Sequence, residues 1–325
     1  GYDASPRPPV VEGALEAFEV RTLDVKDAEG LTDALRGVDA VVSCLPYHLT
    51  RLGGEIALES RFSSLAMVQP LLSRLKTMHL DGSGNVEGRV IVANGKLAPG
   101  TQLTVHEANF DLAAYSHRFK GAAHAKASFI EGLNGEPQAV AEVVLDRFDF
   151  SPENERDVVL GSGRDLRLDL AASGELAQLN ERMTARLYFK DLRLPELAAF
   201  NRYLPRNGVK LLSGQGALAA DMQMDVAKDS SNGSLGLTAR GASIRLGDLI
   251  LRTDLALDAR MADGRLDDRS FSLPGTRLRL DRTAVLEPKG ERIEAWKGVA
   301  NVTQGYVHLG EPLKVTANAE ISMTN

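Results

Sequence analysis

The feature that most constrains this chain is a period of two in its apolar residues, sustained far beyond one hairpin. Leu166, Leu168 and Leu170 alternate with Arg167 and Asp169. Leu218, Ala220, Met222, Met224 and Val226 alternate with Ala219, Asp221, Gln223 and Asp225. Leu255, Leu257, Ala259 and Met261 follow the same rule, and the longest series is Leu313, Val315, Ala317, Ala319, Ile321 and Met323. Successive side chains on a strand point to opposite faces, so each series predicts a strand with one dry face and one wet face. Turn-forming clusters punctuate the chain: Asp81-Gly82-Ser83-Gly84, Asn94-Gly95, Ser213-Gly214, Ser231-Asn232-Gly233 and Asp263-Gly264. Asn-Gly and Asp-Gly accept the positive φ angles that hairpin turns require.

From about Gly53 onward the expectation is therefore a mainly β region of many antiparallel strands, with one or two short helices. One helix is expected over residues 62–76, where Leu65, Val68, Leu72 and Leu75 share a stripe that Pro70 interrupts. The other is expected over residues 194–205, bracketed by Pro195 and Pro205. Period two fits equally the inner face of a closed β-sandwich. A transmembrane barrel would need aromatic girdles, whereas aromatics are 5% of the chain and Trp296 is its single tryptophan.

The first fifty residues have another texture. Residues 19–25 read as a short strand, and residues 28–35 as a helix that Gly37 can cap at its C-terminus. Residues 38–45 (VDAVVSCL) form a nearly continuous apolar run, as a parallel strand buried on both faces would. Strand, helix and buried strand make a βαβ unit. The segment LDVKDAEGLTDALRGVDAVVSCLPYH, residues 23–48, resembles the saccharopine dehydrogenase family within its nucleotide-binding Rossmann domain. That resemblance implies an NAD(P)-dependent oxidoreductase. The family's G-x-G-x-x-G loop would come before this segment, but residues 1–20 hold three prolines and no such loop. Residues 1–52 are thus read as a partial Rossmann-like βαβ segment without a cofactor, and residues 53–325 as the β region.

The β region carries a second resemblance. LSRLKTMHLDGSGNVEGRVIVANGKLAPGTQL, GRDLRLDLAASG, LPELAAFNRYLPRNGVKLLSGQGALAADMQMD and GTRLRLD are similar to the AsmA/TamB-type family of bacterial envelope proteins. The resemblance spans nearly all of residues 60–325. It implies a long, curved, groove-like antiparallel sheet with an apolar concave face, anchored at the inner membrane and reaching into the periplasm. The implied role is non-enzymatic: movement of phospholipid or another acyl lipid between membranes, or support of envelope assembly. The resemblance also implies a membrane anchor, expected in flanking segments of the full-length protein.

The residue chemistry agrees with that role. Leu, Val, Ala and Met dominate the strand series, and such side chains cover acyl chains without fixing one geometry. The expected lipid-facing residues are Leu166, Leu168, Leu170, Leu218, Met222, Met224, Leu255, Leu257, Leu313, Val315 and Ile321. Arg164, Arg167, Arg193, Arg277 and Arg279 recur beside strand leucines. They could meet lipid phosphates at a rim, or keep a wet face soluble and unpaired.

Charge argues against nucleic acid as a partner. Lys+Arg total 38 against 44 Asp+Glu, or −6. Residues 1–52 hold 5 basic and 9 acidic residues, so the β region is nearly neutral at −2. Catalytic and metal signals are lacking. His48, His79, His106, His117, His124 and His308 show no H-E-x-x-H spacing, and no G-x-S-x-G or Walker loop occurs. Gly214 to Ala219 formally satisfies G-x-G-x-x-A, but an alternating strand pattern follows it where a helix is required. The single Cys44 sits in an apolar run as inert core, which leaves the β region free of cysteine.

Overall fold

A computed structural model describes residues 53–65, 69, 78–94, 96–114, 116–132, 135–155, 157–174, 179, 181–204, 208–265, 268, 270–286, 292–308 and 314–324. Two units divide the chain, Gly1–Cys44 and Leu45–Asn325, and every described residue belongs to the second. The expected Rossmann-like segment, residues 1–52, lies outside the described residues.

Among the described residues, fifteen strands form one antiparallel sheet. They are β1 (Gly54–Phe62), β2 (Met78–Ala93), β3 (Lys96–Leu97), β4 (Thr101–Ala114), β5 (His117–Glu131), β6 (Pro137–Pro152), β7 (Gly161–Ser173) and β8 (Met183–Leu194). The series continues with β9 (Val209–Asp225), β10 (Ser230–Leu246), β11 (Leu249–Arg265), β12 (Ser270–Ser272), β13 (Arg277–Leu286), β14 (Arg292–His308) and β15 (Lys314–Thr324). Most neighbours in sequence are neighbours in the sheet, so the chain meanders from β1 at one edge to β15 beyond β14. A 3₁₀ segment, Leu197–Tyr203, joins β8 to β9.

The expected alternation is the organising rule of the sheet. Along β8, Met183, Ala185, Leu187 and Phe189 are buried, while Thr184, Arg186 and Lys190 are exposed. One face carries the apolar residues of all the long strands, and the opposite face carries the arginines and carboxylates. Leu145, Leu166, Leu168 and Leu192 are 0% exposed. Among the described residues every strand belongs to this one sheet, and a sheet with one apolar face covers it in part by curling over itself.

Ring distances locate the curl. Phe119 on β5 and Phe189 on β8 have centroids 6.0 Å apart, and Phe148 on β6 lies 6.1 Å from Phe189. In a flat sheet, side chains standing on strands three steps apart would be separated by about 14 Å. Bulges assist the bend. Glu107 and Arg282 adopt left-handed φ angles of 49° and 53° where the register of β4 and β13 slips. Each extra residue at a bulge kinks its strand and increases the local twist.

Several expectations need correction. The helix expected from residue 62 does not begin there, because Phe62 closes β1 opposite Gly84; residues 66–68 and 70–77 lie outside the described residues. The 194–205 helix is present as the 3₁₀ segment, capped by the Glu196 carboxylate, which accepts from the Ala198 amide at 3.0 Å. Of the five expected turns, Asn94 does turn, with φ 52°. The other four lie inside strands. Gly214, in β9, holds φ 131°, and a Cβ there would come within 2.9 Å of Ala242. Strand-interior glycines here mark close approach rather than reversal. The observed reversals use Val226 to Asp229 and Gly247-Asp248. Nor is the core purely aliphatic: Phe110, Phe119, Phe148, Phe150 and Phe189 meet inside the curl.

Candidate functional site

Cross-strand register builds the site from single residues. Leu192 on β8 pairs with Leu218 on β9, which pairs with Leu237 on β10 and then Leu257 on β11. The row runs on through Leu278 on β13 and Ala300 on β14 to Ile321 on β15. A parallel row places Ala239 beside Leu255, then Leu280, Gly298 and Met323. Directly opposed apolar side chains on one face are the unit of sheet stabilisation. Six strand steps separate Leu192 from Ile321, or about 29 Å.

Burial along this strip changes in one direction. Leu192 is 0% exposed. Leu218, Leu235, Leu237, Leu255, Leu257, Leu278 and Leu280 are half-buried. Ile321 is 70% exposed. Above the strip, Ala242, Thr253 and Thr283 are buried, with the two threonine hydroxyls 2.9 Å apart. Below it, Met222, Met261 and Phe271 form a packed ledge. The strip is thus a band of leucine framed on both sides by closed core.

The expected lipid-facing residues separate into three groups. Leu218, Leu255 and Leu257 lie in the strip, half-buried, and Ile321 extends it onto β15 in the open, while Val315 stands exposed opposite Val307, at the level of the Phe271 ledge. Leu166, Leu168, Met222 and Met224 share the apolar face but are covered by the protein's own side chains. Leu170 is half-buried near the far ends of β6–β8, away from the strip. Leu313 lies outside the described residues. Sequence reasoning passed over Leu235, Leu237, Leu278 and Leu280 as site residues. Their signal is the same period of two, in SLGLTAR and RLRLD.

The wet face has a different character. A hollow of about 700 Å³ lies among β5–β10. Both arginines there are already committed. Arg167 donates to Asp169 and Glu142, each at 2.7 Å, and Arg186 donates to both oxygens of Asp221 at 2.8 and 2.6 Å. Arg186 beside Asp221 holds that carboxyl below its usual range, and Lys228 does the same to Asp225. Arg164, Arg167, Arg193, Arg277 and Arg279 all fall on this face, opposite the leucine strip. Among the described residues, no three His, Cys, Asp or Glu side chains are placed to hold a metal ion, and no helix is long and apolar enough to cross a membrane.

Comparison with family models, curated proteins and solved structures found no match to this chain.

Proposed function

We propose that this protein binds phospholipid or a similar acyl lipid non-enzymatically, shielding the acyl chain in a groove formed by the curled sheet. The observation that carries the reading is the half-buried leucine strip, from Leu218 to Leu278, which continues into open apolar positions on β15. A strip of this kind is left incompletely covered by the chain's own core, although packed interiors normally close such surface.

Magnitudes support an acyl chain as the cover. Each buried methylene contributes roughly 0.8 kcal/mol, so ten of them give about 8 kcal/mol before the costs of association. That gross figure matches reversible, exchangeable binding rather than permanent capture. No covalent step is needed, and transfer is sliding along a face of Leu, Ala and Val. The working place that suits this chemistry is the periplasm of a bacterial envelope.

The test combines two measurements. Mass spectrometry of gently purified protein is expected to find co-purifying phospholipid. A photo-reactive residue at Leu255 or Leu257 is expected to label that lipid, while one at Asp258, on the wet face, does not. Absence of lipid together with absence of labelling at 255 and 257 overturns the reading.

A further inference from the structure

We propose that the wet face holds an oxyanion site, built by Lys120, Arg147, Arg164 and Arg193, that takes a phosphate group. The site lies on the face opposite the leucine strip and does not depend on acyl binding.

The register sets two arginines against each other. Arg147 on β6 pairs directly with Arg164 on β7. Residues paired in this way carry their Cβ atoms about 4.5–5.5 Å apart, and like charges so placed destabilise a sheet. Both side chains are exposed, and among the described residues neither forms an ion pair. Farther along the same face, Arg167 on β7 and Arg186 on β8 do hold carboxylates, Glu142 and Asp221. Solubility asks only for mixed signs on a wet face, as Arg186 and Asp221 supply. It gives no reason for two arginines in register.

A hollow of about 430 Å³ opens at this pair, and Lys120 and Arg193 line it from β5 and β8. Two carboxylates share the lining, Asp149 and Asp191, which leaves a surplus of two positive charges. Asp149 stands opposite Lys120 in the register. Asp191 lies 3.6 Å from Arg193 with both side chains more than half exposed, an ion pair of little strength. The neighbouring acids add nothing to the hollow: Asp146 meets His124 at 3.1 Å, and Asp165 is not part of the lining.

The missing counter-charge defines the ligand. A phosphate group carries up to about two negative charges near neutral pH, which matches the surplus. Guanidinium groups bind phosphate oxygens through paired N–H donors. One phosphate between Arg147 and Arg164 therefore replaces a repulsion with two charge-assisted contacts, and Lys120 and Arg193 close the ring as point charges.

The test is a titration of the full chain, isotopically labelled at arginine, with inorganic phosphate at constant ionic strength and with chloride as the reference. The Nε–Hε resonances of Arg147 and Arg164 are expected to shift together and saturate in phosphate, and to stay in place in chloride. Arg164→Gln should weaken the response at Arg147 by about tenfold or more, the loss of one charge-assisted contact; Arg147→Gln should do the same at Arg164. Neither variant should lower the melting temperature, because each removes one of two opposed like charges. Arg277→Gln, on the same face in β13, is the control and leaves the titration unchanged. Flotation with phosphatidylcholine vesicles, with and without phosphatidic acid, separates the two sources of phosphate. Binding to the phosphatidic acid vesicles that both glutamine variants abolish assigns a lipid headgroup. Saturation by free phosphate without vesicle binding assigns a soluble phosphate compound. If neither probe gives binding that both variants abolish and Arg277→Gln retains, the site is overturned, and acyl binding on the opposite face is untouched by that result.

Discussion

Gly163 on β7 lies beneath the ring of Phe148 on β6, so close that a Cβ at position 163 would stand 2.5 Å from the Phe148 Cζ. The pairing repeats along the row. Gly82 faces Phe110, which faces Gly121, which faces Phe148. Gly163 and Gly82 leave room for the rings of Phe148 and Phe110, and Phe148 meets Phe119 and Phe189 edge-on across the inner side of the curl. Glycine, a weak strand former, is tolerated because the ring covers the backbone that it leaves bare.

Gly163→Ala is therefore expected to destabilise the fold by about 1–3 kcal/mol, the cost of overpacking a filled core. Gly236→Ala is the control. Its Cβ would meet only Ala219 Cβ at 4.0 Å, so it should be neutral or stabilising by about 0.4–1 kcal/mol through the unfolded chain. Urea unfolding of both variants checks the contrast, and equal effects would refute the close-approach account.

Phe189 links strands that are not neighbours, meeting Phe119 and Phe148 across the curl. Truncation to alanine removes a buried ring and leaves a cavity, so Phe189→Ala should cost about 3–5 kcal/mol. Ile321→Ala, at the open end of the strip, should change stability by less than about 0.5 kcal/mol. If acyl lipid covers the strip, the second variant still lowers lipid recovery on purification. Thermal melts paired with lipid quantification separate the two roles.

The period of two made the strands and their common apolar face legible before any coordinates. It could not show which leucines stay open. Leu168 and Leu257 read alike in sequence, yet Leu168 lies under the curl and Leu257 beyond it, because cover depends on strands dozens of residues away. The aromatic centre was hidden for the same reason. Phe119, Phe148 and Phe189 stand on three different strands, and only curvature brings their rings together. The strand-interior glycines misled in another way. Asp-Gly and Ser-Gly look the same whether the chain reverses or a neighbour presses close, so Gly82 and Gly214 read as turns. The paired wet-face arginines were half legible: the Arg-Leu alternation showed their face, and the register supplied Asp221 for Arg186.

Acid sensitivity should follow the wet-face ion pairs. Hydrogen bonds from Arg186 lower the Asp221 pKa, and backbone amides of Leu65 and Gly82 lower that of Asp81. A carboxyl with a depressed folded-state pKa adds stability that is full above its unfolded value, 3.8, and is lost as pH falls through the lower folded value. Wild-type protein should thus lose stability steeply below about pH 4. Asp221→Asn, which cannot titrate, should be less stable at neutral pH and should show a shallower acid slope. Chemical denaturation at a series of pH values measures both slopes, and parallel slopes would refute the assignment.

Asn201 hydrogen-bonds the 3₁₀ segment to β9. Asn201 Nδ2 donates to the Leu211 carbonyl at 2.7 Å, and its Oδ1 accepts from the Leu211 amide at 2.8 Å. Nδ2 also donates to the Ala198 carbonyl at 2.9 Å, closing the turn on itself. An amide side chain satisfies this arrangement because it presents donor and acceptor together. Asn201→Ala leaves the part-buried Leu211 groups without these partners and should cost about 1–3 kcal/mol. The loss should be local, since β9 keeps its pairing to β8 and β10. Hydrogen exchange at the Leu211 amide is expected to accelerate strongly, while exchange at Leu218, deeper in β9, stays near the wild-type rate. Asn201→Asp keeps the acceptor but turns a carboxylate toward two carbonyls. It should fall below the alanine variant at neutral pH and recover on acidification, when the protonated carboxyl can donate again. Recovery in Asn201→Asp but not in Asn201→Ala would show that the lost donor, rather than lost packing, loosens the segment.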